Sequence, residues 1–96
     1  DQLRRDFPVS LTSREISGNG FAFESTEHFN IGDNLEVVLI LQQMPLKLAS
    51  GVGTVVRSDK GGYALEFNSI REPDQQALVR AVFEEQRSQI RAIKSA

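Results

Sequence analysis

Cysteine is absent from the 96 residues, as is tryptophan, and histidine occurs once, at His28. Without cysteine there is no disulfide scaffold, no thiolate catalysis and no common structural zinc site, and the composition fits a reducing cytoplasm. A single histidine excludes most metal clusters and histidine-based triads. An excess of basic charge is missing too: 11 basic residues face 13 acidic ones, for a net charge of −2. Proteins that grip long nucleic acid by counterion release carry surplus Lys and Arg, and one tyrosine without tryptophan offers little for base stacking. The longest apolar run, Val37 to Leu41, is far too short to cross a bilayer, and no signal peptide or direct membrane insertion is expected.

What remains is an ordinary globular composition, 40% hydrophobic and 25% charged. A chain of this size buries roughly two-thirds of its unfolded surface, enough for one core and not for two catalytic lobes. A single domain over residues 1–96 is expected, with a barrel over about 5–70 and a helix over about 72–94.

Period-two alternation dominates the first part. Phe7, Val9 and Leu11 predict a strand over Phe7–Ser13, followed by a turn over Ile16–Gly20. Phe21 and Phe23 share the next face. Leu35, Val37, Leu39 and Leu41 lie on one face of a strand whose other face carries Val38 and Ile40, the pattern of a strand covered on both sides. Pro45 interrupts, Leu46 and Leu48 restart the alternation, and Gly51 and Gly53 mark bulges or close backbone approach. Asp59-Lys60-Gly61-Gly62 is a hairpin turn leading into Tyr63, Leu65 and Phe67. Short strands at this spacing predict a small, mainly antiparallel barrel. Pro73 then suits a first helical position and Asp74 the positive end of the helix dipole, with Arg87, Arg91 and Lys94 toward the negative end. Leu78, Val79, Val82, Phe83, Ile90 and Ile93 form one stripe at helical spacing. Its later part is expected to overhang the barrel and to offer a homo-oligomer or partner contact through the C-terminal helix.

No catalytic set is present, and an enzyme is not expected. Ser17 near Glu15 has no base to activate it, and Gly51-Val52-Gly53 lacks the third glycine and the following helix of a dinucleotide fingerprint. Glu24/Glu27 and Glu84-Glu85 read as solvated carboxylates, and His28 as a loop residue. No cofactor or metal is expected. Two segments stand out instead. Leu3-Arg4-Arg5-Asp6-Phe7 sets an arginine pair directly before a strand, and Glu15-Ile16-Ser17-Gly18-Asn19-Gly20 is a small-residue turn between strands.

Together with the barrel pattern and terminal helix, these segments resemble the PilZ domain family over nearly the whole chain. The turn is similar to that family's [D/N]-x-S-x-x-G motif, with Ser17 and Gly20 in register and Glu15 in the acidic or amide place. Arg4-Arg5 resembles the start of its R-x-x-x-R motif. Ile31-Gly32-Asp33, Gly53 to Arg57 and Tyr63 to Phe67 resemble its later strands. The resemblance implies a six-stranded antiparallel barrel of the split, PilZ-like kind. It implies a bacterial second-messenger receptor that binds cyclic di-GMP and relays it to a partner protein or attached domain, in the cytoplasm, in motility or biofilm regulation. The implied ligand residues are Arg4, Arg5, Glu15, Ser17, Gly18, Asn19, Gly20 and, as an addition, Arg57. Arg71 is a further arginine in reach on this reading.

The pattern also departs from the family. Four residues after Arg4 and Arg5 stand Pro8 and Val9 where a second arginine belongs, and Glu15 replaces Asp or Asn. Only ten positions separate Arg5 from Glu15, where the family has a further strand and loop. Either a hairpin has been trimmed or residues are missing at a join near Ser13–Arg14, and the join is the favoured expectation. The alternative function is a degenerate PilZ-like protein–protein interaction domain that does not bind the nucleotide.

Overall fold

The computed structural model describes residues 8–43, 45–60, 62–83 and 89–94. Six strands close into an antiparallel barrel: β1 (Val9–Ser17), β2 (Gly20–Glu24), β3 (Asn34–Gln43), β4 (Leu46–Asp59), β5 (Gly62–Ile70) and β6 (Gln89–Lys94). One helix, α1 (Glu72–Phe83), lies between β5 and β6 in the chain. The order around the barrel is β1-β2-β5-β4-β3-β6, so each described strand has two neighbours.

The alternation carries through to the interior. Phe21 and Phe23 of β2, Leu35, Val37, Leu39 and Leu41 of β3, and Leu65 of β5 are buried in one cluster with Val55, Phe29 and Leu78. Tyr63 and Phe67 pack against that cluster, and the Phe23 and Tyr63 rings stack with centroids 5.3 Å apart. On the outer face of β3, Val38 is only 6% exposed, in keeping with the two-sided apolar pattern. Gly53 sits where a Cβ would meet the Glu66 carbonyl oxygen at 2.8 Å as well as the Leu65 side chain, which explains a glycine inside β4. Gly62 closes the β4–β5 turn at φ +150°.

Two expectations change. β1 runs unbroken through Ser13–Arg14 up to Ser17, and the expected join is instead a β-bulge between Ser13 and Glu15. The turn that follows is correspondingly short, with Ser17 paired to Gly20. The second change is larger. The described helix ends at Phe83, and Gln89–Lys94, expected as its continuation, is a strand inserted between β1 and β3. Ile90 and Ala92 point into the core and are buried. Ile90 therefore forms no overhanging helical surface, and the oligomer contact expected there has no basis. Arg91 and Lys94 are strand residues, not helix-terminal cations; Arg80 takes that place in the last turn of α1. Glu84, Glu85 and Arg87 lie outside the described residues. Among the described residues no helix is long and apolar enough to cross a membrane.

β6 is stitched at both ends. Arg91 Nη2 donates to the Pro8 carbonyl at 3.0 Å. Lys94 Nζ lies 3.3 Å from Asp33 Oδ2, an oxygen that also accepts the Asn30 backbone N–H at 2.9 Å. The Asn30 bond holds the Asp33 carboxyl below the ordinary aspartate range against an opposing desolvation effect, with Lys94 and His28 adding to the lowering. A depressed folded-state pKa gives stability that is present above the unfolded pKa and is lost as pH falls through the folded one. Asp33→Asn should therefore be less stable than the parent at neutral pH, and the gap should narrow once the pH falls below the ordinary aspartate value of 3.8. Urea unfolding on either side of that value reads this directly; a gap independent of pH would refute the assignment.

Candidate functional site

The β1–β2 turn carries the serine–glycine motif and is closed by its own hydrogen bonds. Ser17 Oγ donates to the Gly20 carbonyl at 3.3 Å and accepts the Asn19 backbone N–H at 3.3 Å. The turn's own carbonyls are held from outside: Phe67 N–H donates to Asn19 O at 2.8 Å, and Gln75 Nε2 donates to Gly18 O at 3.0 Å. A serine in this place thus shapes the turn through both its donor and its acceptor capacity. β5 and α1 then fix the turn against the barrel.

From this turn an open groove of about 580 Å³ crosses the outer wall over β1, β2, β5 and β4. Gly20, Ala22 and Ala64 contribute small residues to its lining, with Ala22 and Ala64 directly paired across β2 and β5. Ser17 and Asn19 line it near the turn. Arg57 and Val56 come from β4, and the carboxylates are Glu15 on β1 and Glu66 on β5. Arg57 is exposed and lies 3.8 Å from Asp59 Oδ2, a loose pair that leaves the guanidinium accessible.

The structure thus brings Glu15, Ser17, Asn19, Gly20 and Arg57 to one groove. Gly18 packs the other way, where a Cβ would stand 3.1 Å from Val79 Cγ2 of α1. Arg71 pairs with Asp74 at 3.2 Å at the start of the helix, apart from the groove. His28 is a loop residue whose Nε2 lies 3.3 Å from Asn30 Oδ1. Arg4 and Arg5 lie outside the described residues. β1 is nine residues long, so Val9 and Ser17 stand ~26 Å apart at ~3.3 Å per residue.

Glu66, Ala22 and Ala64 were not singled out from the sequence, although parity alone places them. If Tyr63, Leu65 and Phe67 face the core, Ala64 and Glu66 face out. Among the described residues charge in the groove is mixed: one arginine against two carboxylates.

No curated protein and no solved structure matches the chain. The family model of the PilZ domain matches residues 4–84, taking in β1 to β5 and α1 but ending before β6. PilZ domains are binding modules and generally receptors for cyclic di-GMP. With a match over most of its length and a closed barrel bearing the serine–glycine turn, the chain belongs to the PilZ domain family.

Proposed function

We propose that this domain binds cyclic di-GMP in the groove below the Ser17–Gly20 turn and passes the binding event to a partner protein or attached domain. The observation that carries the reading is the convergence of that turn, the small residues Gly20, Ala22 and Ala64, and Arg57 on one open face. Small residues admit a flat purine close to the sheet, and a guanidinium pairs with phosphate, stacks on a base or bonds the guanine O6 and N7 edge. Arg57 alone does not offset Glu15 and Glu66 in front of a dianion, so Arg4 and Arg5 supply the remaining positive charge. A cytoplasmic location and a role in motility or biofilm regulation accompany this reading.

Isothermal titration with cyclic di-GMP tests it. The parent chain should give saturable heat. Arg57→Ala should weaken binding roughly tenfold to a hundredfold, the equivalent of one charge-assisted hydrogen bond. The double variant Arg4→Ala/Arg5→Ala should abolish binding. Absence of heat from the parent at high concentration overturns the proposal. It would favour the second reading, an interaction domain that has lost the nucleotide. Two observations support that reading: the two groove carboxylates, and the residues Pro8 and Val9 where a second arginine belongs.

A further inference from the structure

A second cavity, of about 260 Å³, opens between α1 and the end of the β3–β4 hairpin, and it shares no residue with the nucleotide groove. Leu41, Ala77 and Ala81 give it apolar walls, while Lys47 from β4 and Arg80 from α1 bring two cations to it. Among the described residues no carboxylate lines it; Glu72, one turn before Gln76, is engaged with the Gln76 amide at 3.2 Å. Several described cations elsewhere have partners: Arg57 with Asp59, Arg71 with Asp74, Lys94 with Asp33, and Arg91 with the Pro8 carbonyl. Lys47 and Arg80 have none among the described residues, and neither has Lys60 in the β4–β5 turn. Two of these cations thus stand beside one cavity.

From this charge pattern we infer that the α1–hairpin cavity docks an acidic segment of a partner protein, a carboxylate lying between Lys47 and Arg80 with a neighbouring aliphatic side chain against Leu41, Ala77 and Ala81. Three features fix the class of partner. Among the described residues the charge on the rim is positive, and it selects a negative group. The volume lies just below that of ordinary small-ligand pockets, which run from about 300 Å³ upward, and suits one or two side chains. The hairpin beside it also presents Leu46 with 61% of its surface exposed, an apolar element that a bare anion would leave uncovered. Arg80 in the last helical turn is favoured there by the helix dipole alone. The dipole gives no reason for Lys47 to join it from a different strand.

The test is a titration of the full-length isotope-labelled chain, followed by amide NMR, with a short peptide of leucines set among glutamates. Saturable shifts are expected at Lys47, Ala77, Arg80 and Ala81, and the double variant Lys47→Glu/Arg80→Glu should bind roughly tenfold more weakly or worse at an unchanged melting temperature. Four results overturn the inference: no saturable shift at those amides, equal shifts with the lysine-for-glutamate peptide, equal shifts with sodium phosphate alone, or undiminished binding by the double variant. None of these depends on cyclic di-GMP, so they do not bear on the nucleotide reading.

Discussion

Ile90→Asp is expected to unfold the barrel, whereas Ile93→Lys should leave it folded. Ile90 is 1% exposed and faces Leu11 across β1 and Leu39 across β3. Truncating such a residue costs ~2–5 kcal/mol, and an aspartate there adds an ionised group with no partner in an apolar interior. Against a total stability of ~5–15 kcal/mol for a small domain, that suffices to populate the unfolded state heavily. Ile93 is three residues on. In a strand an odd separation reverses the face, so Ile93 points outward, opposite Glu36 of β3, where a lysine gains a complementary cross-strand neighbour and the change stays within about 1 kcal/mol. Had residues 89–94 continued the helix, positions 90 and 93 would share a face and respond alike. Circular dichroism and urea titration of the two variants separate the cases, and equal sensitivity would remove β6 from the barrel. The consequence reaches beyond one residue. The family match ends at residue 84, so a fragment cut at the family boundary would leave β1 and β3 with open edges and is expected to aggregate.

The sequence reads well where strands are regular. Parity alone puts Phe21/Phe23, the leucines of β3 and Tyr63/Leu65/Phe67 each on one face of their strand, and in the structure that face meets the core. β1 was misjudged at its end. Leu11 and Ile16 both contact the core although five residues apart, an odd separation that simple alternation forbids. The bulge between Ser13 and Glu15 restores the inward face by adding a residue, and no sequence signal announces it. Gln89–Lys94 was misjudged for a different reason. A six-residue segment with Ile90 and Ile93 fits the helical period, and Ile90 with Ala92 fits the strand period equally well, so the vacancy between β1 and β3 decides. The same geometry explains the candidate site. The turn was legible because its residues are contiguous. The groove was not, because Glu15, Ala22, Ala64 and Arg57 come from four strands that only the closed barrel brings together.

Gly20→Ala should be among the most damaging single-methyl additions in this chain, and Gly18→Ala two positions earlier should be nearly silent. At Gly20 a Cβ would be driven into the Leu65 carbonyl oxygen and would lie 3.1 Å from the Glu66 Cα, both backbone atoms of the paired strand β5. Backbone cannot rotate away, so the β2–β5 ladder must part at the pair Gly20–Glu66, next to the point where Phe67 N–H bonds Asn19 O. The cost is ~3 kcal/mol or more. At Gly18 the methyl would meet Val79 Cγ2 at 3.1 Å, the tip of a half-exposed side chain, and the backbone lies outside the left-handed region. There the reduced freedom of the unfolded chain offsets the crowding, and stability should change by less than about 1 kcal/mol. Urea midpoints for the two variants check this, and a Gly20→Ala variant as stable as the parent would refute it. The contrast bears on how the motif is read. The family glycine in this chain is required by a strand crossing whether or not a nucleotide ever arrives, so loss of ligand binding in Gly20→Ala reports a broken barrel. Only exposed groove residues such as Arg57, whose removal leaves β4 and β5 paired, report on the ligand itself.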